Sequence, residues 1–505
     1  MVMSKESKIT DKMLLIDNIE RLGLSYHFET EIEEQVEQIF HESSGSNFKA
    51  MENYDLFNTA LLFRLFRQHG HYIPCDVFDK FKDTDNPFLT TLESDINGLL
   101  SFYEATDVRI QGENVLEEAV AFTTYHLNGF ISQTKTTDFP LREKVSQALK
   151  NSVHRGVPIL VARYYIPIYE KEESRNELLV RLAILNFCQL QNLYQKELSD
   201  LTRWWKDLDL ISKVPYMRGR LVEAYFWGLG FNYEPQYFSA RSAIVKAIVY
   251  MTMLDDTYDT FAPLEDLEIL TRVLQRGEMN EMDRLPDYLK EVCKCVSIMR
   301  EDFDNEASKN GKHYAGSYYK EAVKELYMAY HTEANWYRRN RLPRFEHLHS
   351  LGVITSTLFA LTAASFLSGP AEAQDFQWLM SKPKIAVDSA LLCRYWNDVA
   401  SYQREKKING ESMTSVDCYM KQYAVSEEEA LKKFLEVGED MWMSMNKEWM
   451  KTDYSKRRHC VKPVLNYARV AILCYGSGVD GYTYPEQVLK PHILALLEDP
   501  LFIIS

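Results

Sequence analysis

Two stretches carry oxygen-bearing side chains where a buried helix should carry none. In MTMLDDTYDTF, residues 251–261, Asp255 and Asp259 continue the apolar stripe of Ile244, Ile248 and Met251 at helical spacing. Four residues apart, their carboxylates should stack one above the other, about 5–6 Å apart between Cβ atoms. Asp256 projects about 100° round the helix and is not expected to join them directly. In LLCRYWNDVASYQREKK, residues 391–407, Asn397, Ser401 and Glu405 recur at i, i+4 and i+8 and extend the small apolar face of Ala386, Ala390 and Cys393. Each step drifts by about 40°, so three oxygens should line one face over about 12 Å. Burying carboxylates costs several kcal/mol unless something compensates. Oxygen-only donors suit Mg2+, which keeps several waters and is typically shared with substrate phosphates. A bare D-D-x-x-D, taken alone, fits a solvated acidic helix end or ordinary N-cap chemistry better than a metal site. The second stretch shifts the balance, because a solvent-facing helix would scatter its charges rather than prolong an apolar stripe.

Two such helices facing each other across a cavity would repel a diphosphate by several kcal/mol per charge pair, even at an effective dielectric of about 20. Divalent cations bridging the two sets of anions resolve the conflict, so the spacing implies metal together with phosphate. In YMRGRLVEAYFWGLGF, residues 216–231, Arg218 and Arg220 flank Gly219, and Arg394 lies one turn before Asn397. Guanidinium groups bind phosphate oxygens in a fixed bidentate geometry; taken alone, these arginines also fit helix-flanking surface positions. Trp227, Tyr475 and Tyr482 are candidates for a cavity wall whose π faces stabilise a cation, although a single aromatic is also ordinary core. No H-x-x-x-H or H-E-x-x-H pair is present, which weighs against zinc hydrolase chemistry.

The elements that must position these residues read as helices throughout. LLIDNIERLGLSYHF, LFNTALLFRLFRQHG, ENVLEEAVAFTTYHLNGF and RNELLVRLAILNFCQLQNLYQKELSDLTRWWKDL each carry an apolar stripe with charges opposite. Gly, Pro and Asn clusters such as HGHYIP, HRGVP and LSGPAEA punctuate them. The expected class is all-α, in two helical-bundle domains. The segments change character near residue 185, giving expected domains of 1–184 and 185–505 with the unusual chemistry in the second. The chain has 505 residues, 46% hydrophobic and 26% charged, with a formal net charge of −15. That charge argues against nucleic-acid binding, whose footprint is basic. No stretch of 18 apolar residues predicts a membrane span. Eight cysteines without C-x-x-C spacing read as reduced thiols, and MVMSKESKITDKM lacks the features of a signal or transit peptide. A cytoplasmic protein is therefore expected.

With these motifs assembled, the chain resembles the plant class I terpene synthases, most closely the sesquiterpene synthases. FRLFRQHG, DVFDKFKD, LSDLTRWWKDLDL, the Arg-x-Arg at 218–220, MNEMDRLPDYLK, both oxygen-bearing motifs and DGYTYPEQVLKPHI carry the resemblance over essentially the whole length. It implies a class I terpenoid synthase fold in the carboxy-terminal domain and a non-catalytic relic α-barrel before it. Asp255 and Asp259 would bind Mg2+ with Asp256 in support, and Asn397, Ser401 and Glu405 match the family's second metal motif. Three Mg2+ ions are implied, with Mn2+ as a substitute. Arg218, Arg220 and Arg394 would take the diphosphate, with Asp255, Asp259 and Asn397 also facing the substrate. Trp227, Tyr475, Asp480 and Tyr482 would shape the cyclisation pocket. Thr355, Ser356 and Thr357 match a polar break in a cavity helix. The implied activity is that of a lyase: ionisation of farnesyl diphosphate and cyclisation to a C15 hydrocarbon or alcohol, by a monomer. The alternatives are a monoterpene synthase acting on geranyl diphosphate and a catalytically silent isoprenoid-binding relative. Leu14 already begins sequence resembling the family's first helix, so the Arg- and Trp-containing arm that usually precedes it is expected to be missing.

Overall fold

The computed structural model describes residues 8–44, 48–84, 88–133, 139–276, 279–339, 341–409, 414–451 and 456–501. Residues 1–7, from which the compartment expectation was partly drawn, lie outside that set. Among the described residues every regular element is a helix. The amphipathic segments fold as their periodicity requires, into Ile9–Arg21, Leu56–Gln68, Asn114–Gln133 and Glu177–Leu208. Side chains close several helix starts: Asp55 accepts from the Asn58 amide and Asp95 from the Gly98 amide, and Thr414 and Asp417 cap each other reciprocally.

Two compact units divide the chain. One comprises Met1–Gln191, Asn446–Lys456 and Glu498–Ser505; the other comprises Asn192–Met445 and Arg457–Leu497. The division falls inside the Glu177–Leu208 helix. All eight cysteines are free thiols.

In the first unit the Leu56–Gln68 helix is almost wholly buried. Phe63 packs edge-on against Phe78, which stacks on Phe102 at 4.6 Å between ring centroids. Two arginines on this helix are 1% exposed, and each has a carboxylate. Arg64 donates to Asp17 at 2.6 Å, and Arg67 donates to both oxygens of Glu113 and to the Ile73 and Val108 carbonyls. A charge held this way is stable only while its partner remains, so FRLFRQHG acts as a brace. His69 completes it, placing its ring nitrogens 2.9 Å from Glu20 and Glu33.

In the second unit the Phe238–Asp256 helix is buried nearly all round, which marks a central core helix. It packs against Leu221–Phe231 and Leu358–Ser368, while Lys384–Asn409 lies along Arg458–Tyr475. At Gly230 an added Cβ would stand 2.1 Å from Val470 Cγ2, so the Leu221–Phe231 helix approaches Arg458–Tyr475 only because that position is bare. Arg241, fully buried, fixes the start of the central helix by donating to Glu197 and to the Asn232 and Glu234 carbonyls. The stretch Phe345–Ser368 is long and apolar enough to cross a membrane by composition, but 72% of that apolar window is buried in the protein. It is also broken, into Phe345–Thr355 and Leu358–Ser368, by a turn in which Thr357 takes a left-handed φ of +66°.

Candidate active site

The second unit holds a cavity of about 580 Å³, within the size range of small-molecule sites. Asp255, Asp256 and Asp259 line one side, and Asn397 and Glu405 line another. The central helix does not remain an α-helix through its acidic end. It closes at Asp256, and Thr257–Phe261 form a π turn in which the Ala262 amide reaches back five residues to the Thr257 carbonyl. The wider turn falls within the motif, and the two carboxylates stay close enough for Asp259 to push the Asp255 carboxyl up. Asp259 has no side-chain ion pair among the described residues, while Arg338 donates to its backbone carbonyl at 3.4 Å.

Asp256 meets Asp255 only indirectly, through one shared guanidinium. Arg218 donates from Nη2 to Asp255 at 2.8 Å and from Nε to Asp256 at 2.8 Å, and its backbone amide also donates to Asp256 at 2.8 Å. The planar fork spans neighbouring carboxylates that the helix itself separates. Arg394 lies 3.0 Å from Asp398 and 3.4 Å from Glu333, and donates to Thr355 Oγ1 at 3.1 Å. Arg220 is directed differently: its guanidinium donates to the Tyr482 and Thr483 carbonyls at 3.1 and 2.9 Å, and it is not among the residues lining the cavity.

The acids are crowded enough to resist ionisation. Burial pushes the Asp255 carboxyl up to about 7; Arg218 opposes the shift, while Asp259, Asp256 and Glu333 add to it. Although 38% of its side chain is open to the cavity, protein surrounds it. Glu405 is likewise pushed up to about 7 by burial and by Asp398, and burial raises Asp259 and Glu333. Ser401 Oγ is buried without a partner at hydrogen-bonding geometry, although its dipole still favours the ionised Glu405. Converging hard oxygens, self-repelling carboxylates and an unsatisfied hydroxyl fit a hard divalent cation.

Away from the charges the walls turn apolar and aromatic. Trp227 packs 5.5 Å from Tyr467 and 6.4 Å from Tyr475 between ring centroids. Ile248, Met251 and Leu361 also line the cavity. Tyr482 lies 3.0 Å from Thr252 between hydroxyl oxygens. Asp480 accepts from the Tyr482 and Thr483 amides at 3.1 and 3.0 Å, which fixes the turn. Thr355, Ser356 and Thr357 reach the cavity at the helix break, where the Ser356 carbonyl accepts from the Tyr467 hydroxyl.

Comparison with known proteins identifies this arrangement. Residues 206–444 match the terpene synthase family, metal binding domain, and residues 1–149 match the terpene synthase, N-terminal domain. A germacrene A synthase from Pogostemon cablin is 41% identical over 98% of this chain and 89% of its own length. The chain belongs to the terpene synthase family. A tau-cadinol synthase from Lavandula angustifolia is 42% identical over 97% of this terpene synthase and 88% of its own length. Isoprene synthase from grey poplar, solved with three Mg2+ ions and dimethylallyl-S-thiolodiphosphate, superposes with a TM-score of 0.89 at 29% identity, covering 99% of this chain and 95% of that one. Limonene synthase solved with 2-fluorolinalyl diphosphate gives 0.91 at 28% identity, covering 99% and 92%.

The cavity of this terpene synthase also contains residues that motif reading missed. Glu333 lies on Ala315–Arg338, where Tyr330, Glu333, Ala334 and Tyr337 face the cavity at i, i+3, i+4 and i+7. That stripe in YHTEANWY was the available signal. Asp398, 2% exposed, orients Arg394 and accepts from Ser415; its signal was its place beside Asn397. Arg404 also lines the cavity, and nothing in its sequence position announced it.

Proposed function

We propose that this chain is a sesquiterpene synthase that ionises farnesyl diphosphate and cyclises the resulting cation. The observation that carries this reading is that arginines and clustered carboxylate and amide oxygens line the same cavity as an aromatic and apolar wall. Support for C15 chemistry comes from the relatives of about 41% identity, which are named for sesquiterpene products.

In this reading Asp255, Asp259, Asn397, Ser401 and Glu405 would hold three Mg2+ ions, for which Mn2+ could substitute, and the ions when bound would supply Lewis-acid neutralisation of the departing diphosphate. Arg218 and Arg394 bind diphosphate oxygens, so the electron pair of the broken C–O bond leaves on an anion already surrounded by donors. Asp256 and Asp398 orient those two arginines. The allylic cation is left facing Trp227, Tyr467 and Tyr475, whose π faces stabilise positive charge. A π bond of the same chain supplies the electrons for ring closure, and proton loss or water capture ends the sequence. The apolar wall excludes water until then. Among the described residues, those lining the cavity belong to the second unit.

The test is incubation of the purified chain with geranyl, farnesyl and geranylgeranyl diphosphates, with Mg2+ or with EDTA, followed by gas chromatography and mass spectrometry. C15 volatiles from farnesyl diphosphate that vanish with EDTA are expected. C10 products alone would replace the reading with a monoterpene synthase. Ligand binding without turnover would replace it with a silent relative.

A further inference from the structure

The three arginines lining the cavity share one pattern: each bridges two carboxylates. Arg218 spans Asp255 and Asp256, Arg394 spans Glu333 and Asp398, and Arg404 lies 3.3 Å from Glu405 and 3.5 Å from Asp480. The third member differs from the other two. Its contacts are the longest as a pair, through one Nη2 atom, and its Nε is buried with no hydrogen-bond partner. A guanidinium presents five donors in a fixed fork, and a buried donor left unsatisfied is costly. Arg404 is thus under-used in the resting site, while its stem anchors it on the same helix as Asn397 and Glu405.

Arg220, the remaining arginine expected at the anion, donates to two backbone carbonyls and does not line the cavity. We infer that Arg404 is a diphosphate-binding residue of this chain, taking with Arg218 and Arg394 the place that sequence motifs give to Arg220. The inference rests on the reading of the site as a prenyl diphosphate site. A cation at Glu405 would compete with Arg404 for that carboxylate, which would leave the guanidinium fork available to an anion in the site. Asp480 keeps the other contact and limits how far the guanidinium swings. Binding and release of the diphosphate need no change in the protonation of Arg404, since a guanidinium stays charged.

The test is calorimetric titration of the full chain with inorganic pyrophosphate at saturating Mg2+, for the wild type, Arg404→Met and Arg404→Lys. Loss of a charge-assisted donor predicts about 10- to 100-fold weaker binding by Arg404→Met, with Arg404→Lys between the two because it keeps charge without the fork. The Mg2+ midpoint at saturating pyrophosphate should not rise, because Arg404 competes with the cation for Glu405. A merely structural brace would give the opposite split: a raised Mg2+ midpoint with unchanged pyrophosphate affinity. That result, or equal affinity in all three proteins, overturns the inference. If Arg404→Met does not fold by circular dichroism, Arg404→Lys alone decides it, and wild-type affinity there overturns it. Failure of the wild type to bind pyrophosphate with Mg2+ overturns the proposed function and this inference together.

Discussion

Asp255 and Asp256 are adjacent, both acidic and both in contact with Arg218, yet their surroundings assign them different work. The Asp255 side chain is 38% exposed to the cavity and accepts one donor from Arg218. That of Asp256 is 9% exposed and accepts from the Arg218 backbone amide and Nε, with Nη2 also 2.7 Å away. Asp256 is therefore committed to placing the arginine, and Asp255 has oxygen to spare for a metal. In Asp256→Asn the amide keeps one acceptor oxygen but turns an NH2 toward a donor. The net loss should be that of one charge-assisted hydrogen bond, about 1.5–3 kcal/mol, expressed as imprecise placement of Arg218. Pyrophosphate affinity at saturating Mg2+ should fall about 10- to 100-fold, with the Mg2+ midpoint at saturating pyrophosphate unchanged. Asp255→Asn should invert the result by raising the Mg2+ midpoint while saturating Mg2+ restores much of the pyrophosphate affinity. Calorimetry with both titrants, on proteins shown by circular dichroism to melt together, separates the two. A raised Mg2+ midpoint in Asp256→Asn with intact pyrophosphate binding would refute the division of roles and make Asp256 the ligand.

Three further outcomes follow from packing and charge. Gly230→Ala places a methyl against Val470 and should destabilise the protein by about 1–3 kcal/mol; a melting temperature equal to wild type, or no relief from adding Val470→Ala, contradicts that close approach. Arg241→Met strands the buried Glu197 and should cost about 3–5 kcal/mol in urea denaturation, much of it recovered when Glu197→Leu is added; additive losses would deny the coupling. His69 is raised to about 9, burial being opposed and outweighed by Glu20 and Glu33, and because this lies above the ordinary 6.5 its stabilisation is complete below about pH 6.5 and lost as pH rises through 9. The contribution is roughly 3 kcal/mol at most, so the stability deficit of His69→Asn relative to wild type should be largest at pH 6 and shrink by pH 10. A deficit independent of pH would show that His69 is not charged in the folded protein.

Periodicity revealed what repeats, and geometry settled what does not. The helical class followed from stripes such as that of Glu177–Leu208, because an amphipathic face has one low-energy solution: burial of the apolar side against a neighbour. Asn397 and Glu405 line the cavity from a helix whose α spacing continues unbroken through them, whereas Ser401 between them is not among the lining residues. The Asp255 motif holds a feature that counting does not give, because its helix changes from α to π within the motif, and no pattern of apolar residues encodes that change. Long side chains defeated sequence reasoning for a second reason. Arg218 and Arg220 are two residues apart with equal charge, yet one guanidinium meets two carboxylates and the other two backbone carbonyls. Those carbonyls belong to Tyr482 and Thr483, more than 260 positions away, in a turn that Asp480 fixes. A donor's target depends on which acceptors the fold brings within reach of a flexible stem, and that is decided by tertiary packing. The same argument applies to Arg404: the residue that sequence spacing made least conspicuous lies between Glu405 and Asp480, where a departing anion would need it.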